Sequence, residues 1–227
     1  MPFRTALPIA AIALLAACSI PQGRGDSGGG ATQRPTAPPP PIASSPDARQ
    51  CLAELSQAGA SFTPLPDRYM GSGCTNLGTV QLTALAGDDG VMAISNLGPA
   101  TCGVTRAFAG WARFGVDRAA RQILGSPLRS IETFGSYSCR NVAGSGRRSA
   151  HATADAIDVS AFVLQDGRRI VLKDGWNGGT SAERQFLRVV QESACKRFDT
   201  VLGPEYNAAH RDHFHLEGVL NGRGFCR

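Results

Sequence analysis

Hydrophobic residues recur at helical spacing in three segments of the chain. Residues 47–58 carry apolar side chains three and four positions apart, which predicts a short helix because such side chains share one helix face. The same spacing runs from Val104 to Leu124 and from Ala182 to about Lys196. We therefore expect a long amphipathic helix in each of these two segments.

Other short segments are apolar or alternate between apolar and polar residues, as β-strands do. The predicted strands are 80–85, 91–94, 130–138, 156–164, 169–172 and 212–219. The turns between the strands are too short for repeated crossover helices. The order of the elements predicts an α+β fold with a mostly antiparallel sheet flanked by helices.

The pattern before residue 47 is different. Residues 1–17 combine Arg4, an apolar run and small residues, which predicts a signal peptide because the run is shorter than the roughly 20 residues of a membrane-spanning helix. Residues 18–46 are rich in Gly and Pro and predict an extended tether. The folded domain is expected to span residues 47–227.

The segment Leu15-Ala16-Ala17-Cys18 resembles the bacterial lipobox, in which the cysteine is acylated. We therefore expect lipidation of Cys18, and the alternative is ordinary cleavage nearby with Cys18 unmodified. Ser19 follows the cysteine, whereas an Asp there would resemble an inner-membrane retention signal. These features predict an exported periplasmic protein whose lipid anchor lies in the outer membrane.

Cysteine usage agrees with export. Six cysteines remain besides Cys18, and an even number in an exported chain predicts three disulfides whose pairing the sequence does not determine. Local pairing of Cys51 with Cys74 is one expectation, and Cys226 is expected to hold the last residues. The six predicted disulfide cysteines are Cys51, Cys74, Cys102, Cys139, Cys195 and Cys226.

Length and charge limit the function classes. The 227 residues suffice for one domain with a sizeable core, and a hydrophobic content of 42% excludes wholesale disorder. The net charge of +5 comes from 23 basic and 18 acidic residues, which is too mild an excess to indicate a nucleic-acid partner. We expect a monomer, and a secreted polyanion-binding module is the least favoured function.

Candidate metal ligands lie in the last third of the chain. His151 and Asp158 are seven residues apart, which places them on opposite faces of a straight strand and about 10.5 Å apart along a straight helix. Binding one ion therefore requires a bend after His151, which the small residues before Ile157 permit. His213 and His215 lie on one face of a predicted strand, so two imidazoles and one carboxylate can converge.

Three protein ligands and one open position are typical of a catalytic zinc site, whereas structural zinc is usually closed by four ligands. We therefore predict one zinc ion as the cofactor. The alternative is that the histidines are surface or core residues without a metal. The combination of His-x6-Asp with His-x-His favours the metal.

Two motifs carry a resemblance to known families. Ser-x-His-x4-Ala-x-Asp at residues 149–158, followed by Asp-His-Phe-His at residues 212–215, resembles the zinc D,D-peptidase and hedgehog-type superfamily of cell-wall hydrolases. The stretch from Cys51 to Cys226, including Cys102, the Trp111 helix and residues 135–140, is similar to the bacterial extensin-like C-terminal domain family. The superfamily motif usually has Gly where Ala154 stands.

The resemblance implies a hedgehog/D,D-peptidase-like fold and zinc bound by His151, Asp158 and His215. It implies that Asp212 or His213 is the general base, with Asp212 slightly favoured. Arg140 would hold an oxyanion or a substrate carboxylate, and its alternative role is a surface salt bridge.

Three further residues of the same region are assigned more weakly. His210 matches no role in the superfamily, and we expect it to face the solvent. Tyr206 and Trp176 could line a cleft, although aromatic residues at such positions more often belong to a core.

The predicted function is therefore a zinc peptidase, tethered to the outer membrane, that hydrolyses stem-peptide or cross-link amide bonds of peptidoglycan. The main alternative is a noncatalytic peptidoglycan-binding lipoprotein that retains the peptidase fold. That alternative predicts binding of zinc and of the wall without any product.

Overall fold

The computed structural model describes residues 45–227. The α-helices in this part are α1 (Pro46–Gln57), α2 (Cys102–Trp111), α3 (Leu172–Gly178) and α4 (Ser181–Ala194). The strands are β1 (Ala60–Pro64), β2 (Arg68–Gly71), β3 (Cys74–Asn76), β4 (Thr79–Ala86), β5 (Val91–Ser95), β6 (Pro99–Thr101), β7 (Leu128–Gly135), β8 (Ala156–Leu164), β9 (Arg169–Val171), β10 (Thr200–Leu202), β11 (Phe214–Glu217) and β12 (Phe225–Cys226).

The three predicted helices are confirmed as α1, α2 and α4. Wider helical turns of the π type at Ala112–Asp117 and Ala120–Leu124 extend α2 to the predicted end, where Gly125 adopts a left-handed conformation with φ 72°. A capping box between Thr180 and Glu183 starts α4. Side-chain hydrogen bonding thus fixes where α4 begins.

One sheet carries most of the strands, in the order β1-β4-β5-β7-β8-β11-β10-β12, with β6 beside β4 and β9 beside β8. Its pairs are antiparallel except β5 with β7 and β10 with β12. The strands β2 and β3 form a separate hairpin. The predicted α+β fold with a mostly antiparallel sheet is confirmed.

The centre of the core is an aromatic cluster around Trp111. The Trp111 ring is fully buried and lies 5.6–6.3 Å from the rings of Phe108, Phe162 and Phe198. Its indole N–H donates to the backbone oxygen of Val190 in α4, so the one polar atom of this ring is satisfied. These contacts hold α2 and α4 against β8, which is buried along both faces.

Three disulfides are present, as predicted. The bond Cys51–Cys102 joins α1 to α2, Cys74–Cys139 joins β3 to the segment after β7, and Cys195–Cys226 joins the end of α4 to β12. The expected local pair Cys51–Cys74 is wrong, because α1 packs against α2 and Cys51 bonds there to Cys102. The expectation that Cys226 holds the last residues is confirmed.

In residues 45–227, no helix combines the length and the hydrophobicity that crossing a bilayer requires. The predicted signal peptide, the lipidation of Cys18 and all of the tether before Ser45 lie outside the described residues.

Candidate metal centre

The site lies where β8 and β11 are adjacent. The two strands are antiparallel, and His215 stands directly opposite Asp158 in their register. Directly opposed residues place their side chains on the same face of a sheet. The carboxylate and the imidazole therefore meet without any loop between them.

His151 reaches the same point from a single 3-10 turn, Ala150–Thr153, that precedes β8. The bend predicted between His151 and Asp158 occurs at Ala154, which has φ 57° and ψ 25° and is fully buried. This left-handed conformation costs an L-residue about 1–2 kcal/mol and costs Gly nothing in steric clash. A Gly at this position would avoid that cost, which Ala154 bears here.

Three side chains converge at this point. His151 Nε2 lies 3.1 Å from His215 Nδ1, and the two nitrogens contact different oxygens of Asp158, Oδ2 at 3.2 Å and Oδ1 at 3.0 Å. One ligand atom from each residue lies within 4.8 Å of the other two, so the three side chains could hold one metal ion.

Hydrogen bonds behind the two imidazoles select the nitrogens that face the site. His151 Nδ1 donates to the backbone oxygen of Ser136, and His215 Nε2 donates to Glu217 Oε2 at 3.0 Å. Each bond leaves the other ring nitrogen pointing at Asp158. Metal-binding histidines typically have such an acceptor behind them, so the residues fit a metal ion.

Without a metal, a proton takes its place. Burial alone would lower the pKa of His215, but hydrogen bonds to Asp158 and Glu217 outweigh it and raise the pKa to about 9. Burial would also raise the pKa of Asp158, but hydrogen bonds with His151 and His215 lower it well below its usual range. His215 is therefore an imidazolium between two carboxylates at neutral pH.

Metal binding is expected to release about one proton at pH 7.5, because the proton on His215 Nδ1 must leave before that nitrogen can bind a metal. Below pH 9 the apparent metal affinity should rise by up to about tenfold per pH unit, and above pH 9 this dependence should disappear. Calorimetry in two buffers of different ionisation enthalpy measures the proton count. An affinity that is constant between pH 6.5 and 8.5 would contradict the assignment.

His213 lies beside the three candidate ligands. Its Nδ1 donates to Asp212 Oδ1 at 2.9 Å, and its Nε2 lies 3.5 Å from Asp158 Oδ1. The Phe134 ring packs edge-on against it at 5.8 Å. Asp212 is half-exposed and stands behind His213, so the structure brings the imidazole nearer to the ligands than the carboxylate.

A cleft of about 410 Å³ opens beside the ligands. Arg140 and Tyr206 line it, whereas Trp176 is buried in the core. His210 also lines the cleft, and its half-buried ring is 5.2 Å from that of His213 and 5.4 Å from that of Tyr206, so the expectation that it faces the solvent holds only in part. Burial, reinforced by the nearby imidazoles of His213 and His215, lowers the pKa of His210 to about 4.

Sequence reasoning missed the supporting acceptors. Glu217 stands two residues after His215 on the same strand face, and this spacing is a readable pattern. The acceptor at Ser136 is a backbone oxygen, which every residue type has, so no sequence pattern reveals it. Among residues 45–227, the Arg140 guanidinium has no carboxylate partner, so the alternative role in a surface salt bridge is not observed.

Comparison with known proteins identifies a family for the domain. The family model described as "Extensin-like protein C-terminus" matches residues 49–227, which include all three disulfides and every residue of the site. No curated protein matches the chain, and no solved structure matches it. The chain therefore belongs to the extensin-like protein C-terminus family.

Proposed function

We propose that the protein is a zinc peptidase of the cell envelope that hydrolyses stem-peptide or cross-link amide bonds of peptidoglycan. The observation that carries this proposal is the convergence of His151 Nε2, Asp158 and His215 Nδ1 beside an open cleft. Three protein ligands leave room for a reacting group, which is how catalytic zinc sites differ from structural ones.

Two imidazole nitrogens and one carboxylate form a ligand set that suits zinc. A zinc ion held by these residues would supply a Lewis acid that polarises the carbonyl of an amide bond. The cysteines, which often bind structural zinc, are all in disulfides within residues 45–227.

His213 is the best candidate for the general base. Since its Nδ1 donates to Asp212, its other ring nitrogen, Nε2, is the one that faces the candidate ligands. That nitrogen can accept a proton from a water molecule in the cleft and return it to the departing amine. Asp212 then acts as the residue that positions His213, and Arg140 is available for negative charge on the substrate.

The proposed location follows from the N-terminal segment. The signal peptide, acylated Cys18 and the Gly/Pro-rich tether would hold a monomeric domain in the periplasm, anchored in the outer membrane. Such a tether would let the cleft reach peptidoglycan. Metabolic labelling with palmitate, compared between the natural protein and Cys18→Ser, tests the anchor.

His213→Gln is expected to retain zinc but to lower peptidase activity by at least about 100-fold, because a general base contributes about 100- to 10,000-fold. Purified protein is incubated with sacculi, with zinc and with chelator, and the released muropeptides are analysed by mass. The masses identify the bond that is cut. Lys173→Gln is the matched control, because Lys173 is outside the cleft.

The absence of any fragment from zinc-loaded natural protein, on sacculi of several cross-link types, would overturn the enzyme proposal. A noncatalytic wall-binding lipoprotein would then be the better explanation. Chelator-insensitive fragments would instead show that the activity is not that of a metallopeptidase.

A further inference from the structure

The cleft beside the candidate ligands has two chemically different walls. One wall is the segment 140–149, a hairpin held by the bridge between Asn141 and Arg148 and by the hydrogen bond from Val142 N–H to Arg147 O. A second part of the lining carries the Tyr206 and Phe225 rings, whose centres are 6.0 Å apart. The first wall is basic, and the second is largely aromatic and polar.

Two guanidinium groups line the basic wall, those of Arg140 and Arg147. Neither has a carboxylate within ion-pair distance in residues 45–227. Several other arginines of this part of the protein do have one. The paired arginines are Arg106, Arg113, Arg118, Arg121, Arg168, Arg169 and Arg188.

One acidic side chain lines the cleft, and it is engaged with His215. Glu217 is the one carboxylate that lines it among the described residues, and Glu217 accepts a hydrogen bond from His215 Nε2. Arg147 lines the same cleft as Glu217 and as His215, one of the candidate metal ligands.

Arg140 lies at the start of the hairpin wall, and Arg147 lies near its end. The cleft that they line is also lined by His210, His213 and His215. A peptide lying in this cleft would therefore meet two fixed positive charges.

We propose that the cleft selects anionic peptides, with Arg147 binding a free carboxylate of the substrate and Arg140 contributing a second positive charge. This inference rests on the proposed peptidase function. A guanidinium offers two parallel N–H donors that match the two oxygens of a carboxylate. A carboxamide is uncharged and has only one acceptor oxygen, so it cannot accept both bonds. Amidation of the peptide therefore removes the interaction.

Arg147 is a specificity residue in this proposal and not a catalytic one. It lies on the hairpin wall, whereas the proposed base His213 belongs to the segment before β11. Its loss should therefore raise KM and leave kcat nearly unchanged, since the interaction is the same in the bound substrate and in the transition state.

The test measures binding without turnover. Zinc-loaded His213→Gln protein is titrated with a short peptidoglycan stem peptide that has free carboxylates and with the same peptide fully amidated. Amidation is expected to weaken binding at least about tenfold, because hydrogen bonds between charged groups are the strong ones. Adding Arg147→Gln should weaken binding of the peptide with free carboxylates by about as much and leave binding of the amidated peptide unchanged. Arg147→Lys should restore part of the difference in affinity between the two peptides.

Arg148→Gln is the matched control. Its guanidinium donates to Asn141 Oδ1, and the side chain does not line the cleft, so peptide binding should be unchanged. Equal binding of the two peptides, or equal weakening of both by Arg147→Gln, would overturn the inference. So would a loss in Arg148→Gln as large as that in Arg147→Gln.

Failure of this inference is distinguishable from failure of the proposed function. Carboxylate-dependent binding that Arg147→Gln removes, with no fragments from sacculi, would support an anionic-peptide site and overturn the peptidase. Fragments formed at equal rates from free and amidated peptides would support the peptidase and overturn the selectivity.

Discussion

Replacing His215 with alanine is expected to abolish zinc binding and peptidase activity together. The substitution removes one of three ligands, and loss of even a supporting residue behind a ligand typically costs 10- to 100-fold in affinity. We therefore expect zinc affinity to fall by at least about 100-fold and release of muropeptides to fall to background. Metal analysis after dialysis and a competition titration with a chromophoric chelator measure the first effect.

His210→Gln is the control for this experiment. Its ring centre lies 5.8 Å from that of His215, in the same cleft, but it belongs to no cluster of metal ligands in the described residues. It should retain one zinc per molecule. Zinc affinity in His215→Ala within a few-fold of the natural value, with the fold intact by circular dichroism, would show that the ligand assignment is wrong.

The second large effect is expected from the disulfide Cys74–Cys139. It joins residues 65 positions apart, and constraint of the unfolded chain over that separation is worth about 4 kcal/mol. The double variant Cys74→Ser/Cys139→Ser should lose about that much free energy of unfolding. It should also bind zinc about tenfold more weakly, because the segment before Cys139 supports the candidate ligand His151.

That support consists of two hydrogen bonds: Ser136 O accepts from His151 Nδ1, and Ser138 N–H donates to His151 O. The matched control is Cys51→Ser/Cys102→Ser, whose disulfide joins residues 51 positions apart in α1 and α2. It should lose a similar free energy, about 4 kcal/mol, but keep its zinc affinity. Denaturant unfolding measures the free energy of unfolding, and chelator competition measures the zinc affinity. Equal weakening of zinc binding in both variants would contradict the supporting role of the segment.

The sequence allowed prediction of the elements in which apolar residues recur at a regular spacing. Helices α1, α2 and α4 and the long strands β4, β7 and β8 each repeat apolar residues often enough to show their faces. Strands such as β3, β6 and β12 contain only two or three residues, which is too few for any period. Their positions depend on pairing with distant segments and on disulfide connectivity, which local patterns do not record.

The site was predictable to a similar depth. Strand alternation and spacing pointed to two imidazoles and one carboxylate, the resemblance implied which three, and the structure brings those three together. The place of His210 in the cleft was not predicted, because it depends on the short 3-10 turn Ala208–His210. The acceptor at Ser136 is a backbone atom and is independent of the residue type there, so the composition of the motif could not reveal it.

The direct opposition of Asp158 and His215 makes the metal centre a reporter of strand register. If β11 paired with β8 one position out of step, every side chain of β11 would change face, and His215 would turn away from Asp158. A molecule with such a slipped sheet could have native-like helical content and still bind no zinc. The zinc content of a refolded preparation would therefore count the molecules whose central strands are correctly aligned, which spectroscopic measures of secondary structure cannot do.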